Sequence, residues 1–306
     1  FYQLGQWQME NEAKTASHNI FKDFNEELDH HALAMEGLLI AISHNSDIKN
    51  HFHGRDRNRL LKTVEDIFKQ IKQNFDITHL YFHKPDRTCF LRAHYPSKYG
   101  DIINRYTAIN TQKRGQVSFG MEIGPLGTFT LRVVLPWFED GKAIGYLEMG
   151  KEVEHLIRHI QKTTGAEFFV NIEKKFLEKT SFDNGLQFLE RRADWDLSKA
   201  HVTTFQTLHN IPDHLKKRQY TPDYPVGKIR FKNPSGEKKH YYSSSFPLKD
   251  AGERHVGNLN ILIDLSARKE LNHNQVRIVV LVNILGFCLL LCMFYRYLGS
   301  IDLEIK

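Results

Sequence analysis

The chain has 306 residues, a length that allows about two domains of ordinary size. Its formal net charge of +6 is small and dispersed, and no basic cluster is interleaved with aromatic residues, so no nucleic-acid partner is expected. Three cysteines exclude a disulfide framework. The chain begins at Phe1 without a methionine or a signal peptide, which predicts a fragment that starts just after an upstream membrane helix.

The first predicted element is a long helix from about Gln3 to Ser43, a stretch without proline. Two interpretations of its apolar heptad spacing stay open: the helix packs on its own domain, or its first part also pairs with a second copy in a parallel homodimer. At about 1.5 Å per residue it reaches on the order of 60 Å, enough to run beside two stacked modules. Together with a polar, loop-like segment from His44 to Asp56 it forms a signalling region, residues 1–56. The heptad positions are Phe21, Phe24, Leu28, His31, Met35, Leu38 and Ile42.

The first predicted module covers residues 57–165 and opens with an amphipathic helix at Arg57–Phe75. Asp140-Gly141 is a strong hairpin signal, because both central residues of the tightest turns need positive φ. A connecting helix at Lys151–Thr164 ends the module. One sheet face is expected to pack on a helix and the other to face a small cavity. The predicted strands are Leu80–Phe82, Cys89–His94, Gln116–Ile123, Phe129–Trp137 and Lys142–Met149.

Two segments of this module carry a family resemblance. FLRAHYPSKYGD (Phe90–Asp101) and GMEIGPLGTFTLRVVLPW (Gly120–Trp137) resemble the double Cache sensor domains of bacterial transmembrane receptors, above all those attached to two-component sensor kinases. The resemblance covers roughly Phe24 to Leu265. It implies an α+β fold in which a long N-terminal helix accompanies two stacked PAS-like modules of antiparallel sheet, followed by a transmembrane helix. It also implies an extracytoplasmic ligand sensor, without identifying the ligand.

The second predicted module, residues 166–265, begins with a strand at Glu167–Ile172. The ends of the two modules show the same order of features along the chain: a strand with a proline, a tight turn and a strand that contains a glycine. This shared order favours an internal repeat. A turn at residues 233–236 is expected to join two further strands, whereas Phe182–Thr221 shows no clear pattern. The corresponding segments are Leu135-Pro136 with Phe246-Pro247, Asp140-Gly141 with Asp250–Gly252, and Ile144–Leu147 with Val256–Leu259.

The C-terminal part predicts a membrane span. Residues 266–277 form a charged connector, and residues 278–298 a transmembrane helix whose first eighteen residues, Ile278–Tyr295, carry no charge. A buried core helix is the alternative, but a helix apolar on all sides would have to be enclosed entirely. Residues 299–306 are expected to begin a cytoplasmic linker.

Strand alternation predicts a ligand site in the first module. Cys89, Leu91 and Ala93 are expected on the helix-packed face, and the residues between them on the opposite face. Converging cations with aromatic walls suit a small anionic ligand such as a carboxylate. The alternative is a structural salt bridge of Arg92 with Glu148 or Asp101; in the resembling families the Arg-x-His run often lines the pocket, which favours the ligand. The predicted ligand-binding residues are Arg92, His94, Tyr95, Tyr99, Asp101, Arg132, Trp137, Tyr146 and Glu148.

Other chemistry receives little support from the sequence. His155 and His159 on a helix, and His79 and His83 on one strand face, have spacings that suit a metal, but solvated surface histidines explain both pairs better. No metal and no cofactor is therefore predicted. A P-loop, a Gly-x-Ser-x-Gly elbow and a His-Glu-x-x-His motif are all missing from the sequence, so the region is not predicted to be an enzyme.

The combined prediction is the sensor region of a bacterial inner-membrane receptor, with the sensor in the periplasm or outside the cell. A small molecule would bind in the membrane-distal module and shift the long helix. The output domain is expected to be a histidine kinase, with a diguanylate cyclase or chemotaxis signalling domain as the alternative. A second class of function is a non-sensing scaffold that dimerises or binds a partner protein. A filled, closed cavity in the first module would favour that scaffold.

Overall fold

The computed structural model describes residues 2–124, 127–188, 194–217, 227–232 and 235–304. Three predicted segments lie partly outside the described residues. They are the first half of the turn at 233–236, parts of the stretch Phe182–Thr221, and the last two residues of the predicted linker. Eight α-helices are described: α1 Tyr2–Ser43, α2 Ser46–His53, α3 Arg57–Phe75, α4 Tyr106–Arg114, α5 Val153–Thr164, α6 Lys179–Phe188, α7 Asp213–Lys216 and α8 Ser266–Glu304.

Helix α1 is a single helix of 42 residues that packs along both sheets of the protein. Its buried positions recur every three or four residues, so one side of the helix faces the core throughout. The predicted packing on its own domain is therefore confirmed along this length. The buried side chains of α1 are Met9, Ala13, Ser17, Ile20, Phe24, Leu28, Ala32, Met35, Leu39, Ile42 and Ser43.

Helix α2 replaces the loop that the sequence predicted at His44–Asp56. Asn45 caps it, because its Oδ1 accepts a hydrogen bond from the Ile48 nitrogen at 3.0 Å. Ile48 and Phe52 are buried on its inner side. A helix of eight residues is too short for apolar periodicity to stand out in a polar segment, so the prediction of a loop was wrong.

The first sheet has the predicted arrangement of two strands, a helical cover and three strands. The strand order is β2-β1-β5-β4-β3, and every neighbouring pair is antiparallel. Asp140 and Gly141 form the hairpin turn with φ of 49° and 77°. Helix α4 covers the face turned away from α1, and Thr111 Oγ1 donates to the Val134 carbonyl at 3.1 Å. The strands are β1 Ile77–His83, β2 Cys89–Arg92, β3 Ser118–Ile123, β4 Phe129–Glu139 and β5 Lys142–Glu152.

The second sheet repeats the first. Its order is β7-β6-β10-β9-β8, which is the same arrangement with each strand replaced by its counterpart five places later. The repeat inferred from the proline and glycine positions is therefore confirmed. Gly165, with φ of 70°, ends α5 before this sheet begins. The strands are β6 Glu167–Glu173, β7 His201–Gln206, β8 Lys228–Lys232, β9 Lys238–Lys249 and β10 His255–Asp264.

One hydrophobic core extends through both modules. It joins Phe24 and Met35 of α1 to Leu131 of the first sheet and to Val170 and Leu259 of the second. The modules also meet directly, because the turn between β9 and β10 docks on the first module. There the Ala251 nitrogen donates to the Met121 carbonyl at 2.8 Å, and the Arg254 guanidinium lies 4.7 Å from the Tyr106 ring.

Helix α8 leaves from the second module, where the His240 nitrogen donates to Ser266 Oγ at 2.9 Å. The predicted connector and the predicted span are one continuous helix. Its large apolar side chains from Ile278 to Phe294 are exposed, and the helix is long and apolar enough to cross a membrane. The second module is therefore the one directly connected to this candidate span.

Candidate ligand-binding site

The face of the first sheet beneath α4 is polar, and a β-bulge decides which residues reach it. Tyr81 pairs with Arg92 and His83 with Cys89, and the register shifts between Phe82 and His83. Because of this shift, Cys89 lies on the polar face with Tyr81 and Tyr146, whereas Phe90 packs against the α1-side core. The predicted facing of Cys89 and Phe90 was therefore wrong, because simple alternation ignores the bulge.

Glu148 occupies the centre of this polar face and is fully buried. Its Oε1 accepts from Arg132 Nη1 and from Arg105 Nη2, each at 2.6 Å. Its Oε2 lies 3.0 Å from His83 Nε2. Burial alone would raise the pKa of Glu148, but the charges of Arg105 and Arg132 outweigh it and hold that pKa well below its usual range. The buried carboxylate is therefore ionised at neutral pH.

Arg92 forms the ion pair at the edge of the face. Its Nη1 and Nη2 donate to Oδ1 and Oδ2 of Asp101 at 2.8 and 2.7 Å, and Nη1 also donates to the Lys98 carbonyl at 2.7 Å. The Arg92 side chain is 6% exposed, whereas that of Asp101 is 46% exposed. The structural salt bridge considered as an alternative thus forms with Asp101 and not with Glu148.

Aromatic and imidazole rings fill the space between the cations. The guanidinium groups of Arg92, Arg105 and Arg132 lie 5.3, 5.1 and 5.7 Å from the centroid of the Tyr81 ring. The rings of His79 and His94 are 4.5 Å apart. Burial lowers the pKa of His79 to about 2 and that of His94 to about 4, so both are neutral near pH 7.

His83 is also buried, which corrects the expectation of solvated surface histidines for the His79–His83 pair. Burial lowers its pKa, so the ring is neutral. Since Nε2 faces the ionised Glu148, Nε2 carries the proton and Nδ1 is left as an acceptor. Three buried nitrogen atoms of this face have no hydrogen-bond partner within the described residues: Nδ1 of His83 and the Nε atoms of Arg105 and Arg132. The face therefore has two unused donors and one unused acceptor.

The predicted residues divide into three groups by position. Arg92, His94, Arg132, Tyr146 and Glu148 are brought together on the polar face, with Asp101 at its edge. Tyr95 and Tyr99 lie on the loop after β2, each 56% exposed. Trp137 is on the opposite side of the sheet.

Trp137 belongs to the core beneath α1. It is 3% exposed, its Nε1 donates to the Ser43 carbonyl at 3.0 Å, and its ring lies 5.0 Å from that of Phe52. Trp137 lies two residues after Leu135 in β4, and alternation puts both on the same face, where both belong to the core cluster. The prediction that Trp137 lines the ligand site did not follow that alternation, and the structure corrects its location.

Arg105 and Tyr81 are central residues of the face that the sequence analysis missed. Tyr81 lies in β1, one residue away from the predicted strand end, and alternation from Leu80 could have placed it on the polar face. Arg105 lies outside any strand, at the position just before α4, so no periodicity marks it. In the described parts of the chain, no group of three or more His, Cys, Asp or Glu residues is arranged to hold a metal ion.

The sequence itself identifies the class of protein. Residues 10–268 match the family described as the double sensory domain of two-component sensor kinases (dCache_3). Because this match covers most of the chain, the chain belongs to that double Cache family of sensory domains. No curated protein sequence matches it.

The solved structures to which the chain is similar include the following three domains. The sensor domain of the Vibrio cholerae histidine kinase DctB is 12% identical, with 82% of this chain and 98% of that one covered and a TM-score of 0.43. The periplasmic domain of Vibrio cholerae LuxQ is 13% identical, with 83% and 99% covered and a TM-score of 0.44. The sensory domain of the Campylobacter jejuni chemoreceptor Tlp3, with isoleucine bound, is 13% identical, with 88% and 95% covered and a TM-score of 0.45.

Proposed function

We propose that this chain is the extracytoplasmic sensor region of a bacterial transmembrane receptor, and that its membrane-distal module binds a small molecule with an anionic group. The observation that carries the proposal is the pair of buried, unused donors on Arg105 and Arg132 beside the unused acceptor on His83. Membership in a sensory-domain family supports the sensing role.

The chemistry of the face defines the ligand class. Carboxylate oxygens on the ligand would accept from the two arginine Nε atoms, and a hydroxyl or ammonium group would donate to His83 Nδ1. Arg92 adds a third cation at the edge, where the half-exposed Asp101 carboxylate now occupies it. An anionic ligand would compete with Asp101 for this guanidinium. His94, Tyr146 and Glu148 would lie deeper in the site than Arg92, and Tyr95 and Tyr99 would lie near its entrance.

Signal transfer would follow from the packing of α1. This helix contacts both sheets, so a change beneath α4 would shift α1 relative to the second module and α8. Helix α8 would anchor the chain in the inner membrane, with both modules in the periplasm or outside the cell. The output domain would be a histidine kinase, or alternatively a diguanylate cyclase or chemotaxis signalling domain.

A parallel homodimer would use a different face of α1 from the predicted heptad positions, because most of those pack inside the chain. Leu33 and Ile40 are 62% and 41% exposed and seven residues apart, which is the repeat that pairs two helices. Disulfide crosslinking of Leu33→Cys and Ile40→Cys in membranes, with the native cysteines replaced, tests this arrangement. An Asn25→Cys variant on the exposed side of the same helix is the control, and equal crosslinking at all three positions would contradict a specific seam.

The non-sensing scaffold remains the second candidate, and a specific observation favours it. The charged side chains of the polar face pair with one another: Glu148 pairs with Arg105 and Arg132, and Asp101 pairs with Arg92. Under this alternative the charged cluster serves only to hold the sheet and α4 together.

Two substitutions that should change the ligand affinity in opposite directions separate the sensor from the scaffold. A thermal-shift screen of metabolites first supplies a ligand, and isothermal titration then measures its affinity. Arg92→Ala should weaken binding by about 2–5 kcal/mol, as for a truncated buried charge pair. Asp101→Asn should strengthen binding of an anion, because it removes the competing carboxylate, while lowering the melting temperature without ligand, because Arg92 is left buried and unpaired.

Arg59→Ala is the matched control, since Arg59 forms an exposed ion pair with Asp56 on α3. Its effect on both measurements should be small. A ligand whose affinity is the same for wild type, Arg92→Ala and Asp101→Asn would contradict the proposed site. A screen without any binder, together with a lower melting temperature for Arg92→Ala, would support the scaffold.

A further inference from the structure

The second module contains an open cavity of about 480 Å³. The cavity lies where the end of β6 meets the beginnings of β7 and β10. Its lining includes Asn171, Lys174, Lys199, His201, His255 and Asn258. A volume of this size is large enough for a small metabolite.

The lining carries an excess of positive charge. Lys174, Lys175 and Lys199 line the cavity together with one carboxylate, that of Glu173. This carboxylate is already engaged, by Lys175 Nζ at 2.5 Å and by His255 Nδ1 at 3.0 Å. Two lysines therefore remain without a carboxylate within the described part of the chain.

Neutral groups hold Lys174 in place. Lys174 Nζ donates to the Ser198 carbonyl at 2.5 Å and lies 5.0 Å from the centroid of the Trp195 ring. Lys199 is exposed at the rim. An ammonium group donates up to three hydrogen bonds, so Lys174 retains donors for a bound anion.

Asn171 adds a buried amide to the same wall. It is 3% exposed, and its Oδ1 accepts from Thr203 Oγ1 at 2.8 Å. Its Nδ2 has no acceptor among the described residues, which is unusual for a buried polar atom. In neighbouring Asn258 both polar atoms have a partner, since Oδ1 contacts His255 Nε2 at 2.9 Å and Nδ2 donates to Ser245 Oγ at 3.1 Å. The unused donor of Asn171 thus adjoins the two unpaired lysines.

We infer that this cavity of the membrane-proximal module is a second binding site, specific for a small organic or inorganic oxyanion. The carboxylate or phosphate group of the ligand lies between Lys174 and Lys199, and a ligand oxygen accepts from Asn171 Nδ2. The site is independent of the proposed distal site, because none of its residues contacts the polar face beneath α4. The chain would then respond to two solutes, one in each module.

Isothermal titration of the full chain in detergent micelles tests the inference. The probes are inorganic phosphate, acetate and glycerol 3-phosphate, each at constant ionic strength set with sodium chloride. Saturable binding of at least one probe is expected. Lys174→Met with Lys199→Met should weaken that binding about tenfold or more, and Asn171→Ala should weaken it by a smaller factor.

Lys249→Met is the matched control, because Lys249 is an exposed lysine of the same module that pairs with Glu253 away from the cavity. It should leave the affinity unchanged. Arg92→Ala should also leave it unchanged, which separates this site from the distal one. The inference is overturned if no probe binds the wild-type chain, or if the lysine double variant, with an unchanged melting temperature, binds as tightly as wild type.

Discussion

The two modules have the same strand order, but central positions that carry charged side chains in the first module carry neutral side chains in the second. Register places Glu148 opposite Tyr81 in the first sheet, and Asn260 opposite Phe169 in the second. By the same correspondence, Arg132 matches Ser243, and His83 matches Asn171. The first set contains the ion pair of Glu148 with Arg132 and lies beneath α4, whereas the second has no charged side chain and includes Asn171, which lines the open cavity. One scaffold therefore supports either a face of paired charges or a neutral polar wall beside an open cavity.

The largest expected effect comes from removing the charge at the centre of the first module. Glu148→Gln leaves the buried Arg132 and the neighbouring Arg105 without an anion, so the free energy of unfolding should fall by about 3–5 kcal/mol. Urea denaturation followed by circular dichroism measures it.

The equivalent position of the second module provides the comparison. Asn260 Nδ2 donates to the Phe169 carbonyl at 3.2 Å, so Asn260→Ala should cost about 1 kcal/mol. If Glu148→Gln and Asn260→Ala lowered the free energy of unfolding equally, the charge cluster would not make the first module depend more on its central residue than the second.

A smaller effect should appear on acidification, through the buried histidines of the first module. The pKa of His94 is lowered to about 4 in the folded protein by burial, against an ordinary value of 6.5. The unfolded chain therefore takes up a proton first as the pH falls, and the stabilisation present above pH 6.5 is lost progressively toward pH 4. Between pH 6.5 and 5, His94 should account for about 1–2 kcal/mol of lost stability.

His94→Asn tests this by reducing the difference in unfolding free energy between pH 7 and pH 5. His30, which is exposed on α1, is the matched control for substitution to asparagine. If both variants keep the wild-type pH dependence, the acid sensitivity does not originate from His94.

The smallest expected effect concerns the contact between the modules. Arg254 stacks on Tyr106 at the start of α4 and pairs with Asp250, but its side chain is 44% exposed. Arg254→Ala should therefore cost only about 0.5–1 kcal/mol. Chemical unfolding should remain a single transition, because the shared core and not this contact joins the modules. Two separated transitions in this variant would instead assign the coupling to the turn between β9 and β10.

Local sequence signals were sufficient for most of the fold. Helix α3 has the predicted bounds, the Asp140-Gly141 turn forms, and Phe129, Leu131 and Val133 lie on the α1 side as alternation requires. These features depend on residues close together in the chain, whose periodicity is visible without tertiary structure. The internal repeat was visible for the same reason, since the prolines and glycines keep their spacing.

The site was only partly predictable, because its decisive features are not local. The bulge at Phe82 and His83 depends on how β1 pairs with β2, and it places Cys89 rather than Phe90 on the polar face. Arg105 reaches Glu148 from a position 43 residues away that carries no strand pattern. The partner of Arg92 also required the loop conformation, which selects Asp101 instead of Glu148.

The continuous packing of α1 limits how double sensory domains of this kind can exchange modules. The N-terminal half of the helix packs on the second sheet, where Ser17 Oγ lies 2.7 Å from Ser244 Oγ and the Phe21 ring stacks on the Phe246 ring with centroids 4.5 Å apart. Its C-terminal end packs on the first sheet, where Trp137 Nε1 donates a hydrogen bond to the Ser43 carbonyl. A chimaera that imports a foreign distal sheet must therefore also import the matching stretch of helix up to Ser43. A splice made only at the boundary between the sheets would graft a new sheet onto a helix shaped for the old one.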